Sequence, residues 1–240
     1  MRPMCQWQLF WQNASPLWVR MTSQCEEYLV NIALFGASGT VGRRIAQEAL
    51  ARGHAVTALV RDPTRLSLTH ARLTVAASDV RDPARVAQAV AGHDVVVSAV
   101  GPTGTDQVRI VVDAARALIV GLPQAGVQRL IVVNGAGSLD VAPGVQLVDT
   151  PEFPAAWRPI ALVHRDALEV YRTAALDWTV LSPAALIAPG ERTGTYRTGA
   201  DQLLTNDKGE SRISAEDYAV ALVDEIENPQ FVRRRFTVAA

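Results

Sequence analysis

At 240 residues and 25.8 kDa, with 49% hydrophobic residues, 20% charged residues and a formal net charge of -1, the chain carries enough apolar material for one large α/β domain. That composition excludes a wholly disordered polypeptide, and the charge balance lacks the basic surplus that a general nucleic-acid binder needs. No run of about 18 apolar residues occurs, so neither a transmembrane helix nor a membrane partner is expected.

Residues 1–27 read as a poorly ordered N-terminal extension. All three methionines (Met1, Met4, Met21), both cysteines (Cys5, Cys25) and three of the five tryptophans (Trp7, Trp11, Trp18) fall within it. It has neither a helical nor an alternating period, nor the continuous apolar stretch of about 7–15 residues that marks a signal peptide. An aromatic arm that touches a membrane and a genuine packing element are the competing readings. With no cysteine after Cys25, a disulfide scaffold and a cysteine metal site are excluded from the rest, no metal is expected, and the cytoplasm is the default compartment.

From residue 28 onward the pattern alternates strand and helix. Tyr28–Phe35 is an apolar run of the kind a buried parallel strand shows. Val41–Ala51 has helical spacing and stops at Gly53. Ala55–Val60 and Leu73–Ala77 read as the second and third strands. Pro83–Ala91 is a helix opened by Asp82 as cap. Val95–Val100 is the fourth strand, Asp106–Ala125 a long helix, and Leu130–Val133 the fifth strand. His164–Ala175 is a helix and Trp178–Leu181 the sixth strand. Ala215–Glu227 is a helix capped by Ser214, and Phe231–Ala239 is the last strand. This order predicts a Rossmann-type, doubly wound α/β domain over 28–240, with a mainly parallel sheet and helices on both faces. Residues 139–160 and 188–213 lack periodicity; they are expected to be irregular substrate loops over the carboxyl ends of the strands.

The strongest local signal is Gly36-Ala37-Ser38-Gly39-Thr40-Val41-Gly42, directly after the first strand and opening the first helix. Gly36 permits the tight turn, Gly39 lets the backbone approach a pyrophosphate, and Gly42 lets the helix pack closely on the sheet. The free amides of Ser38, Gly39, Thr40 and Val41 then face the phosphates. Arg61 follows the second strand, where an NAD-selective site places an acidic residue. Its guanidinium suits a 2′-phosphate, so NADP(H) is the expected cofactor. Asp62 beside it keeps NAD(H) open, and an arginine in a solvated turn is the competing reading. Later strand ends supply further walls: Asp79 and Val80 by the adenine, Ala99 and Gly101 along a ribose, Asn134 and Gly135 by the nicotinamide, and Pro183 by the carboxamide.

These residues resemble a known group. Asn31–Leu50, Gly53–Pro63, Asn134–Pro154, Asp177–Thr195 and Gly209–Pro229 look like the atypical short-chain dehydrogenases/reductases of the NAD(P)-binding, NmrA-like kind. More narrowly they resemble the bacterial NADH-flavin reductase group, whose fold is related to that of biliverdin reductase B. The distinctive stretches are Gly135-Ala-Gly-Ser-Leu, Gln146-Leu-Val-Asp-Thr-Pro and Pro189-Gly-Glu-Arg-Thr-Gly-Thr-Tyr196. The resemblance implies a Rossmann fold, a dinucleotide on Gly36–Gly42 and hydride transfer.

The chain departs from the typical short-chain dehydrogenases in one respect. They pair a Ser with Tyr-x-x-x-Lys, the lysine lowering the tyrosine pKa. Lys208 is the only lysine here, and Leu204 stands four residues before it. Carbonyl reduction by that pair is therefore excluded. Ser138 stands where the family serine commonly sits, and His164 lies near the start of the helix that normally carries the tyrosine; these two are the catalytic candidates, against turn-capping and structural readings. Arg192 and Tyr196, in the loop after the sixth strand, are candidates to meet an anionic, planar substrate. The expectation is an NAD(P)H-dependent reductase acting on a flavin (FMN or FAD as substrate), a quinone or a similar conjugated acceptor. The alternative is a non-catalytic NADP-binding redox sensor of the NmrA type. A small-molecule partner and a monomeric or weakly dimeric state complete the expectation.

Overall fold

The computed structural model describes residues 29–102 and 108–240. The expectation of an extension over residues 1–27 falls outside them.

Strand β1 (Asn31–Phe35) lies in the middle of the main sheet, with β2 (Ala55–Val60) and β3 (Leu73–Ala77) on one side and β4 (Val95–Ser98), β5 (Arg129–Val133), β8 (Asp177–Ser182) and β12 (Arg234–Ala239) on the other. All these neighbours are parallel. An eighth strand, β10 (Arg197–Gly199), joins antiparallel to β12 at the edge. The order therefore reverses between β1's two neighbours, β2 and β4. At such a switch point the first and fourth strands lead their connections to opposite faces and leave a crevice beyond their carboxyl ends.

Period-two side-chain alternation explains the two cores. Ile32 and Leu34 of β1 face helices α1 (Thr40–Ala51) and α5 (Ala215–Glu227), packing with Ile45 and Leu222. Ala33 and Phe35 face α2 (Pro83–Val90), α3 (Ile110–Gln124) and α4 (Arg158–Arg172), packing with Leu118, Leu122 and Leu168. A strand buried on both faces must be apolar throughout, which is why it reads as an unbroken hydrophobic run. Each fully buried leucine or phenylalanine contributes about 1.5–3 kcal/mol of transfer free energy.

The caps anticipated from sequence are made: Asp82 accepts from the amides of Ala84 and Arg85, and Ser214 from that of Asp217. Several boundaries differ. Helix α4 begins at Arg158, six residues before the expected His164, because Pro159 suits a first helical turn. The last strand begins at Arg234, since Arg233 turns through φ 58° just before it. The two segments expected to be irregular are so over much of their length but also hold short elements. Residues 139–160 hold the short hairpin β6 (Asp140–Ala142) and β7 (Val145–Gln146), then two 3-10 turns. Residues 188–213 contain β10 and enter β11 (Arg212–Ser214), which pairs with β9 (Leu186–Ala188). Such strands of two or three residues are too short to leave a periodic signature.

Candidate cofactor and active site

Phe35 ends β1 and the chain turns at once through Gly36, at φ 83°, a conformation that side chains with a Cβ rarely adopt. A Cβ there would also run into the carbonyl oxygen of Ala99, and one at Gly42 into the carbonyl oxygen of Gly36. The turn thus holds β1, β4 and the start of α1 at a separation that only glycine allows. The Gly39 amide donates to the Gly36 carbonyl at 3.0 Å, and Gly39 becomes the N-cap of α1 without any side-chain cap hydrogen bond. The first amides of a helix have no carbonyl partner within it. Here no side chain replaces that partner, and the first turn contains no acidic residue. The positive end of the α1 dipole is therefore exposed to an anion.

Above this turn lies a cavity of about 350 Å³. It gathers Gly36, Ser38, Gly39, Thr40, Val41 and Gly42 from the turn, Arg61 from the end of β2, and Val80 from beyond β3. Ala99 and Gly101 enter from beyond β4, Asn134 from just beyond β5, His164 from α4 and Pro183 from just beyond β8. Ser78 and Ile187 line it too; neither was anticipated. Ser78 is a small residue directly after the end of β3, and Ile187 belongs to the short β9, which gave no periodic signal.

Five expected site residues stand elsewhere. Asp79 turns to Arg81, whose guanidinium lies 2.6 Å away and holds the carboxyl at about 2, with Arg61 adding a weaker pull. Gly135 packs beneath His164, where a Cβ would lie in ordinary contact 3.5 Å from the imidazole side chain, and it is not among the residues that line the cavity. Ser138 is 2% exposed; its hydroxyl and its carbonyl oxygen both accept from Arg235 Nη1 at 2.9 Å, so it anchors β12 rather than facing the cavity. Arg192 donates to both carboxylate oxygens of Glu48, at 2.7 and 2.8 Å, on the flank of α1. Tyr196 donates its hydroxyl to Asp224 on α5. No residue of the 188–213 segment is among those that line the cavity: Arg192 and Tyr196 reach carboxylates of α1 and α5, and β10 joins β12 at the sheet edge. Arg192, Tyr196 and Ser138, expected at the substrate or catalytic site, thus have Glu48, Asp224 and Arg235 as partners and are not among the residues that line the cavity.

At the inner end of the cavity, His164 Nδ1 lies 2.8 Å from Oδ1 of Asn134. Asn134 is itself fixed by its backbone N–H, which donates to the Leu181 carbonyl at 2.9 Å. Burial pushes the His164 imidazole down to about 4. It is therefore neutral at pH 7, and an amide oxygen can only accept, so Nδ1 carries the proton and Nε2 the lone pair. Tyr171, the tyrosine on the same helix, is buried in the core, and burial raises its hydroxyl pKa; Ala175 stands four residues on, where a lysine would be needed.

These features fit a dinucleotide on three separate counts. Glycines keep Cβ atoms out of the turn, an uncapped helix start points at the phosphate position, and the Nδ2 of Asn134 is a buried donor without a protein partner. Gly36–Val41 would hold the pyrophosphate, Arg61 the adenosine end, and Asn134, His164 and Pro183 would surround the nicotinamide. Among the described residues no group of three or more His, Cys, Asp or Glu gathers to hold a metal, and no helix is long and apolar enough to cross a membrane.

The chain matches the model of a family described as NAD(P)H-binding over residues 36–229. Among solved structures it is similar to a Burkholderia pseudomallei protein described as a "putative exported protein", with 54% identity, a TM-score of 0.81, and coverage of 88% of this chain and 100% of the other. A Bacteroides thetaiotaomicron structure described as a "putative epimerase" shares 38% identity at a TM-score of 0.79, covering 88% and 97%. A Streptococcus pneumoniae structure described as a "putative NADH-flavin reductase" shares 34% identity at a TM-score of 0.78, covering 88% and 99%.

Proposed function

The chain belongs to the NAD(P)H-binding family, and from that premise we propose that it is a reductase that passes hydride from NAD(P)H, with NADP(H) preferred, to a flavin, quinone or similar conjugated acceptor. The observation that carries this reading is the chemistry at the inner end of the cavity. A carbonyl or alcohol substrate needs a positioned acid or base to exchange a proton at oxygen. The described cavity offers no tyrosine and no lysine for that task, and its imidazole is neutral with its one N–H engaged by Asn134.

A conjugated acceptor removes the need. A nicotinamide dinucleotide bound here supplies a hydride, so a conjugated acceptor gains two electrons and one hydrogen from it and takes one further proton from solvent, the charge being delocalised meanwhile. The protein's contribution is then binding and alignment: the α1 amides and Arg61 anchor the anionic end, while the mostly apolar walls Val80, Ala99, Pro183 and Ile187 exclude water. The neutral Nε2 of His164 accepts a hydrogen bond from a ring N–H. The name of the Streptococcus pneumoniae relative agrees with this reading; that of the Bacteroides thetaiotaomicron relative does not, and a tyrosine–lysine pair for nucleotide-sugar chemistry is absent from the described cavity.

The test is steady-state oxidation of NADPH and NADH with FMN, riboflavin and quinones. Sustained turnover with at least one of these acceptors supports the proposal. Tight NADP(H) binding with no turnover on any of them overturns it in favour of a redox sensor.

A further inference from the structure

Two polar residues follow β3, and the structure gives only one of them to the cavity: Ser78 lines it and Asp79 does not. The Ser78 backbone N–H donates to the Val60 carbonyl at 3.0 Å, which sets Ser78 beside the end of β2, next to Arg61. Asp79 is held by its own neighbour. Its carboxylate accepts from the Arg81 backbone N–H at 3.0 Å and from the Arg81 guanidinium at 2.6 to 3.2 Å. Such a short-range turn forms without ordering any other part of the chain.

Ser78 is 8% exposed, and its hydroxyl is buried with no hydrogen-bond partner among the described residues. Folded proteins leave few buried polar groups in that condition, because each forfeits its bonds to water. A ligand in the cavity that Ser78 lines would supply the missing partner. The lining limits what that partner can be. None of the lining residues is an aspartate or a glutamate. At the end marked by Arg61 the polar side chains are the Ser78 hydroxyl and the Arg61 guanidinium, while Leu59, Val60 and Val80 are apolar. A carboxylate only accepts, so one that faced the 6-position of a purine would select the amino group of adenine and reject a carbonyl oxygen. A hydroxyl has one hydrogen and two lone pairs. It can accept from N6 of adenine or from N1–H of hypoxanthine, and donate to N1 of the first or O6 of the second. A guanidinium only donates, and both bases offer it acceptors.

We propose that the Ser78 hydroxyl, with Asp79 withdrawn to Arg81, is the group that reads the purine of the dinucleotide, and that the site therefore does not distinguish a 6-amino from a 6-oxo purine: a hypoxanthine dinucleotide binds as well as the adenine one. This rests on the dinucleotide occupying the cavity and not on the identity of the hydride acceptor. It places base selectivity in one short turn, where a local ion pair takes the only carboxylate of the Ser78-Asp79-Val80 segment out of the site.

The experiment is isothermal titration of the full chain with NADP⁺, NAD⁺ and the hypoxanthine form of each, compared within whichever pair binds. The wild-type dissociation constants for the two bases are expected to agree within about threefold. Ser78→Ala should weaken both members of a pair together, by about three- to tenfold, without lowering the melting temperature of the free chain, since it removes a hydroxyl that has no partner there. Asp79→Ala should leave the base ratio as it is. A wild-type preference for adenine beyond about threefold overturns the proposal, and this measurement needs no variant to fold. So does a Ser78→Ala chain that binds both forms as the wild type does, or an Asp79→Ala chain that loses affinity for the adenine form alone. If the wild type binds NADP⁺ or NAD⁺ and rejects the hypoxanthine form, the dinucleotide reading stands and the role of Ser78 falls. If it binds none of the four, both fall.

Discussion

His164 Nδ1 and Asn134 Oδ1 are 2.8 Å apart, and this pairing decides which ring nitrogen carries the proton. It also makes the imidazole a liability in acid. Burial lowers the folded pKa to about 4, against an ordinary value of 6.5. In that interval the unfolded chain binds the proton and the folded chain does not, so stability falls as pH falls from about 6.5 toward 4, and the imidazole costs nothing above 7. Between pH 7 and pH 5 the loss from this group is about 1–2 kcal/mol. Urea denaturation of the wild type and of His164→Gln at both pH values measures it. The wild type is expected to lose more stability than the variant, by that amount; equal losses would show that the imidazole does not titrate in this way.

The glycine turn gives a sharper prediction. A methyl at Gly42 points into the Gly36 carbonyl, so Gly42→Ala must displace either the turn or α1. Backbone does not yield cheaply, and overpacking of this kind costs about 1–3 kcal/mol. The same displacement moves the α1 amides off the phosphate position. NADP⁺ should raise the melting temperature of the wild type and not of Gly42→Ala, with affinity down about 100-fold or more. A Gly42→Ala protein that binds NADP⁺ as the wild type does would mean that the pyrophosphate does not rest on this turn.

How much of this was legible beforehand depended on the scale of the interaction. Strand-to-helix alternation and the glycine turn are local: β1, the turn and α1 occupy consecutive residues, so spacing alone exposes them. That Ala99, Asn134 and Pro183 line one cavity follows from the strand ends, since in a parallel sheet all of these point to one edge. What failed was side-chain direction over long separations. Arg192 is 144 residues from Glu48, and Arg235 is 97 from Ser138. No periodicity carries such pairings, and an arginine in a glycine-rich loop looks the same whether it awaits a substrate or reaches a buried carboxylate. The placement of β10 at the sheet edge was hidden for the same reason, because three residues paired with distant β12 have no pattern of their own.

That lesson makes Arg192 and Tyr196 useful controls. The Arg192 side chain is 54% exposed while Glu48 is 6% exposed, and Glu48 keeps a second partner, Arg52, at 2.8 Å. The Arg192 guanidinium holds the Glu48 carboxyl below the usual carboxylate range, but solvent screens much of the energy of so exposed a pair. Arg192→Ala should cost less than about 1 kcal/mol in denaturation and leave KM for the acceptor and for NADPH unchanged. Tyr196→Phe should likewise leave both KM values unchanged. A several-fold rise in acceptor KM in either variant would return these residues to the substrate site.

Arg61 tests the cofactor preference. It lines the cavity at the end of β2, exposed to solvent, and its field reaches the Asp79 carboxylate. A 2′-phosphate at this position would gain charge-assisted hydrogen bonds that a 2′-hydroxyl cannot match, worth about 1.5–3 kcal/mol. Arg61→Ala should therefore weaken NADPH by about 10- to 100-fold and NADH by far less, moving the ratio of the two dissociation constants toward one. Isothermal titration with both dinucleotides gives that ratio directly. If both weaken equally, Arg61 acts on the shared diphosphate and not on the 2′ position. If neither changes, the adenosine end lies elsewhere on the cavity rim, and Asp62 would become the residue to substitute, because an acidic side chain there would favour the NAD ribose hydroxyls.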